Sequence, residues 1–272
     1  MTSRAARPGS VILTFYGAFV RRLDGWVAVA HLIELMGEVG LDPQAVRSAT
    51  SRLKRRGWLV PSRRGTAAGY ALSDVARTAL AAGDQRIYEA QRPADLADGW
   101  ALVVFSVPES ERSSRHLLRS RLTWLGFGSD APGVWIGPRR LMPAARGMLV
   151  DLGLERYVDL YEAAYTGFGD AQQLVERCWD LAELRRLYST FLARWEPVLA
   201  AAKESDPDEG AAFTDYLAAL DQWRGLPFLD PGLPSELLPL GWEGHAASAL
   251  FHALVHCLEP PAFRHVEQTV RG

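Results

Sequence analysis

Between Asp42 and Leu72 the chain gathers side chains whose chemistry is recognition. Gln44, Ser48 and Ser51 can donate and accept hydrogen bonds, and Arg47 can grip a guanine edge with two bonds or meet a phosphate. Arg52, Lys54, Arg55, Arg63 and Arg64 carry fixed positive charge, the chemistry of backbone contacts. At about 100° per residue, Val46, Ala49, Thr50 and Leu53 fall on one face of a helix. Gln44, Ser48, Ser51 and Arg55 fall on the opposite face, flanked by Arg47 and Arg52. A merely solvated helix usually mixes Glu with its Lys and Arg; this one has no acid after Asp42.

The elements that must position these groups can be read around them. Asp42 is an N-cap and Pro43 takes the first helical position, predicting a helix over 43–56. Upstream, 10–22 reads as a helix and 23–25 as a turn. The segment 26–36 starts extended and becomes a helix with Val29, Leu32, Ile33 and Met36 on its apolar stripe. Downstream, 58–62 and 69–72 read as strands, with Arg63, Arg64 and Gly65 expected at the turn between them. Another helix runs from Ser73 and Asp74 to Tyr88. The outline is a winged helix-turn-helix over 1–92. Such a fold offers its third helix to a major groove and its wing to phosphates, and the competing use is as a protein-contact module.

Charge sharpens that choice. The net charge of −2 conceals a balance of +7 over residues 1–92 and −9 over 93–272, so only the first segment is suited to a polyanion. Apolar content of 48% and charged content of 23% are those of a globular protein and exclude disorder. No run approaches the roughly 18 apolar residues of a membrane span, and the N-terminus lacks a signal-peptide core, so the expectation is a cytoplasmic protein. Cys178 and Cys257 form no paired motif, which excludes a disulfide framework or zinc ribbon.

Past a linker at 92–99, the order of elements predicts a second domain over 97–169. A strand at 100–108 is followed by a helix at 109–125, strands at 127–129 and 134–136, a helix at 141–152 and a strand at 157–165. This β-α-β-β-α-β order is that of a ferredoxin-like split sandwich. The remainder, 170–272, reads as a helical C-terminal domain. It comprises a long helical region over 170–199 that kinks or ends near Pro197, an acidic loop at 203–210, a helix at 211–224, a proline-rich stretch, a helix at 244–258 and a short polar tail. The fold class is therefore α+β.

With these residues in hand, the chain resembles the phenylacetate-degradation repressor family of bacterial transcription regulators, PaaX. AVRSATSRLKRRGWL, RIYE at 86–89 and WALVVFSVPESERSSRHLLRSRLTWLGFG at 100–128 carry the resemblance. GVWIGP at 133–138, FLDPGLPSELLPLGW at 228–242 and the pair Leu250-Phe251 continue it in order. The resemblance implies a three-domain dimer whose central domain is similar to the ferredoxin-like CRISPR-associated nucleases. It implies an operator-binding repressor of an aromatic-catabolism operon, released from DNA by an aryl-CoA thioester. The family's usual Pro-Arg-Gly-Gly-like turn is replaced here by Arg21–Trp26.

Arg112, Arg115 and Arg119 lie at i, i+3 and i+7, and Arg139 and Arg140 precede the next helix; together they are candidates for the phosphates of an acyl-CoA effector, or else a solvated basic face. Aromatic residues over 157–195 could line a pocket, but such residues more often form core. His252 and His256 stand one turn apart without a third ligand, so no metal and no cofactor is expected. A metal-dependent nuclease needs a carboxylate at the end of the central domain's first strand. Phe105-Ser106-Val107-Pro108 has none, and no catalytic residue or enzymatic activity is predicted.

Overall fold

The computed structural model describes residues 7–89 and 93–271. The described residues form two compact units. One gathers residues up to Glu89 with 190–224 and 246–271; the other gathers 93–189 with 225–245.

The first unit opens with α1 (Pro8–Ala18), β1 (Trp26–Ala28), α2 (Val29–Glu38) and α3 (Pro43–Arg55). The wing follows as β2 (Leu59–Arg64) and β3 (Ala67–Leu72), then α4 (Asp74–Tyr88). The three strands form an antiparallel sheet in the order β1-β3-β2, which leaves Pro61 on an edge strand where its missing N–H is harmless. The Asp42 carboxylate starts α3 by accepting from the amides of Gln44 at 2.9 Å and Ala45 at 2.8 Å. Val46, Ala49, Thr50 and Leu53 are buried, as the helical period requires.

The wing departs from expectation in one respect. Both strands are longer, and Arg63 and Arg64 are their last paired residues, opposite Ala68 and Ala67. The turn is only Gly65-Thr66. Gly65 sits at φ +57°, which the first position of a II′-type hairpin demands and which lets two residues close the loop.

The rest of this unit comes from far down the chain. α8 (Leu181–Glu204) contributes its second half, joined by α9 (Glu209–Trp223) and α11 (Gly244–Arg271). Phe15 and Phe19 of α1 meet Phe213 and Tyr216 of α9 edge-on, with ring centroids 5.5–6.2 Å apart. Asp221 of α9 accepts from the hydroxyls of Ser10 at 2.8 Å and Thr14 at 2.7 Å. Trp223 stacks on Phe251 of α11 at 4.8 Å, and its indole N–H donates to the carbonyl of Ile87.

In the second unit, β4 (Trp100–Phe105), α5 (Arg112–Leu125), β5 (Gly128–Ala131), β6 (Val134–Pro138), α6 (Met142–Asp151) and β7 (Val158–Ala163) build an antiparallel sheet in the order β5-β6-β4-β7. The unit's first strand in sequence lies between its third and fourth, the split-sandwich topology expected from the element order. β4 explains its own apolar run. Ala101 and Val103 pack with Leu122, Leu125, Trp135 and Ala145 on one face. Trp100 packs on the other with Ile136, Leu174, Val175, Leu181 and Leu233. A strand covered on both faces cannot alternate with polar residues. α7 (Ala171–Cys178), the start of α8 and the single turn α10 (Leu226–Leu229) complete the unit.

The helices of 170–272, expected as a domain of their own, are thus divided between the two units. Their boundaries also differ. The 170–199 region breaks at Trp179, where Asp180 caps a new helix by accepting from the Glu183 amide at 2.9 Å. It then runs through Pro197, an exposed position, to Glu204. The expected polar tail is helix as well: α11 passes through Pro260 and Pro261 to Arg271. Leu254 and Leu258 before the prolines and Ala262 and Val266 after them are all buried on one stripe, and that burial offsets the lost backbone bonds.

Candidate nucleic-acid interface

The surface of α3 is what its helical period required. Gln44, Arg47, Ser48, Ser51, Arg52, Lys54 and Arg55 are all exposed, opposite the buried Val46, Ala49, Thr50 and Leu53. None of Arg47, Arg52, Lys54, Arg55 or Arg56 forms an ion pair among the described residues. The reason is legible in the chain, which carries no acid between Asp42 and Asp74. A row of unneutralised cations beside hydroxyl and amide groups can meet phosphates while offering donors and acceptors to base edges.

The wing arginines are exposed too, but unequally committed. Neighbouring strand residues point to opposite faces, so Arg63 and Arg64 do not act as one basic tip. Arg63 donates to the Thr66 carbonyl within the hairpin at 3.3 Å. Arg64 donates to the Asp24 carbonyl at 3.3 Å, and its guanidinium lies 5.0 Å from the ring centroid of Trp26. The sequence reading missed Asp24 and Trp26, because only the sheet register brings them near Arg64.

The five arginines weighed as effector ligands are not brought together. Arg112 pairs with Glu109 at 3.2 Å. Arg139 pairs with Glu162 at 2.9 Å. Arg140 donates to the carbonyls of Pro231 and Gly232, and burial, partly opposed by Asp230, draws its pKa below the usual guanidinium range. Arg115 and Arg119 do share a site: both line a cleft of about 520 Å³ at the end of β4. Phe105, Ser106 and Val107 form one wall, and Ser129 to Gly133 with Trp135 form another. Arg115 is held by Glu109 at 3.1 Å and by the Val107 carbonyl at 2.7 Å. Arg119 is exposed and makes no ion pair among the described residues.

The one carboxylate in the cleft, Asp130, is bonded by Arg177 at 2.8 Å. Beside it, burial and the Asp130 charge push the Cys178 thiol up to about 12. A neutralised carboxylate and a protonated thiol leave Arg119 as the cleft's free charge. No group of three metal-ligating side chains exists among the described residues, His252 and His256 included. Of the aromatic residues over 157–195, Tyr188, Phe191 and Trp195 are buried core, while Phe168 is fully exposed.

Comparison with known proteins marks out three successive segments of the chain. Family models match residues 7–76 as a PaaX-like protein, 93–175 as the PaaX protein central Cas2-like domain and 179–268 as the PaaX-like protein C-terminal domain. The Transcriptional repressor PaaX of Escherichia coli (strain K12) is 30% identical over 264 residues, covering 95% of this chain and 83% of that protein. The solved structure of the uncharacterized protein Rv0674 from Mycobacterium tuberculosis shares the fold, with a TM-score of 0.60 at 21% identity over 93% of this chain and 95% of that one. With its winged helix, its split sandwich and its helical remainder each matched in order, the chain belongs to the PaaX family.

Proposed function

We propose that this protein is an operator-binding transcriptional repressor, bound to DNA through α3 and the wing and released by a small-molecule effector. The observation that carries the reading is the acid-free, unpaired cationic surface of α3. Gln44, Arg47, Ser48 and Ser51 face base edges; Arg52, Lys54, Arg55 and Arg63 face phosphates. The family relative named as a transcriptional repressor supports the direction of regulation. Two protomers would match a two-fold operator.

The effector we propose is an acyl-CoA thioester, with the cleft at the end of β4 as its site. Arg119 supplies a free cation for a phosphate, Arg115 a second donor, and Phe105 and Trp135 apolar wall. The cleft volume suits a drug-sized or larger ligand. Ser106 stands where a nuclease of this architecture would hold its metal, and the one nearby carboxylate is already paired, so binding is favoured over phosphodiester cleavage.

The test is retardation of a duplex that the protein itself selects from a randomised pool. Binding should weaken steeply with salt, as counterion release requires, and micromolar aryl-CoA should release the duplex. Failure to select any duplex would overturn the DNA reading. Release by free aromatic acids but not by CoA esters would overturn the effector assignment alone.

A further inference from the structure

The wing holds a contact whose geometry argues for a role other than phosphate binding. In the register of the sheet, Trp26 pairs with Ala71, Ser62 with Gly69 and Arg64 with Ala67. Paired residues of antiparallel strands share a face, as do alternate residues along one strand. Trp26, Ser62 and Arg64 therefore project from the same face. Val27, Leu59 and Leu72, all buried, project from the other, with Arg63.

The Trp26 indole lies flat against β3 at Gly69, where a Cβ would collide with the ring and with the Val27 carbonyl. The Arg64 guanidinium covers the ring at 5.0 Å. Asp24, held at φ 60° in the turn before β1, meets the same guanidinium. Its carbonyl accepts from Arg64 Nη2 at 3.3 Å, and its carboxylate lies 3.8 Å from Nη1. The 23–25 turn with the adjoining β1 thus meets the outer end of β2, 40 residues further on, through one side chain.

We propose that Arg64 is a positioning residue: seated on Trp26 and tied to Asp24, it fixes the wing hairpin against β1. It thereby sets where Arg63 meets the DNA backbone. A phosphate that took Arg64 would have to compete with the Asp24 carbonyl and approach the Asp24 carboxylate, a charge of its own sign. Arg63, on the opposite face and bonded only within its hairpin, has neither obstacle. The planar guanidinium is essential to the seat, since it stacks and donates at once, which an ammonium cannot do in the same geometry. This inference rests on the DNA-binding reading above.

The test compares R64A, R64K and D24A with the unmodified protein on the selected duplex, with hydrogen exchange of the β2 and β3 amides measured in the absence of DNA. A brace predicts that R64K and R64A each weaken binding by about tenfold. It also predicts that the slope of log K against log salt is unchanged for R64K and R64A, and that wing amides exchange faster in all three variants. R63A should lower the salt slope by about one. The proposal is overturned if R64K binds like the unmodified protein while R64A lowers the salt slope by about one, or if wing exchange is unmoved in all three. Because the exchange measurement needs no DNA, a protein that selects no duplex would sink the functional reading and leave the brace to be judged by exchange.

Discussion

α3 and α5 each carry a stripe of arginines, and the two stripes are wired in opposite ways. On α3 no acid lies within reach in the chain from Asp42 to Asp74, and Arg47, Arg52, Lys54 and Arg55 stand exposed and unpaired among the described residues. On α5 the turn before the helix supplies Glu109, which takes both Arg112 and Arg115, and leaves Arg119 and Arg121 without an ion pair among the described residues. The two helices carry equal numbers of cations, Lys54 included, yet unequal positive potential. How strongly a surface attracts a polyanion depends on how many of its cations already have a partner.

The largest effect should come from stripping α3. The triple variant R52A/K54A/R55A is expected to weaken operator binding by more than about 100-fold near physiological salt and to lower the salt slope by about three, read by retardation across a salt series. If the slope holds, α3 is not the phosphate-facing helix and the contrast with α5 fails. Next, R119E is expected to raise the aryl-CoA concentration needed for release at least about tenfold while leaving operator affinity within about twofold. R112A should change neither, because Arg112 is an exposed residue spent on Glu109. Equal effects from R112A and R119E in fluorescence titrations would erase the distinction between paired and free cations.

A smaller effect tests the platform of α3. D42A removes the acceptor of two helix amides and should cost about 1 kcal/mol in urea melts. Smallest is a chemical reading of the cleft wall. The Cys178 pKa of about 12 keeps the thiol protonated at pH 8, so iodoacetamide should leave Cys178 unmodified over hours in peptide mass maps of the native protein. D130N removes one of the charges opposing thiolate formation and should speed that labelling. Rapid labelling without D130N would mean that the wall is not closed around Asp130.

Much of this was legible in the sequence wherever a single element carries its own signal. The period of Val46, Ala49, Thr50 and Leu53 gave α3 its inner face, hence its outer one, and the order of strands and helices over 100–163 gave the split sandwich. What escaped depends on partners far along the chain. Trp26 and Arg64 are joined only by sheet register, and no local pattern marks them. The helix expected over 244–258 continues through Pro260 and Pro261, because the buried stripe from Leu254 to Val266 that outweighs their local cost is set by tertiary packing. The break at Trp179 did have a local signal, Asp180 followed by Glu183, which the more conspicuous Pro197 obscured. The basic stripe of α5 could be counted from sequence, but its neutralisation by Glu109 required coordinates.

The aromatic seam between α1 and α9 has a consequence for how this reader can diversify. Phe15 and Phe19 would face water if the first 89 residues were severed from the rest, and the hydroxyl of Ser10 would lose its Asp221 acceptor. A head built this way cannot be shuffled between proteins as a cassette. New target preferences must instead arise by substitution at the solvent-facing side chains of one helix, with the buried seam inherited whole.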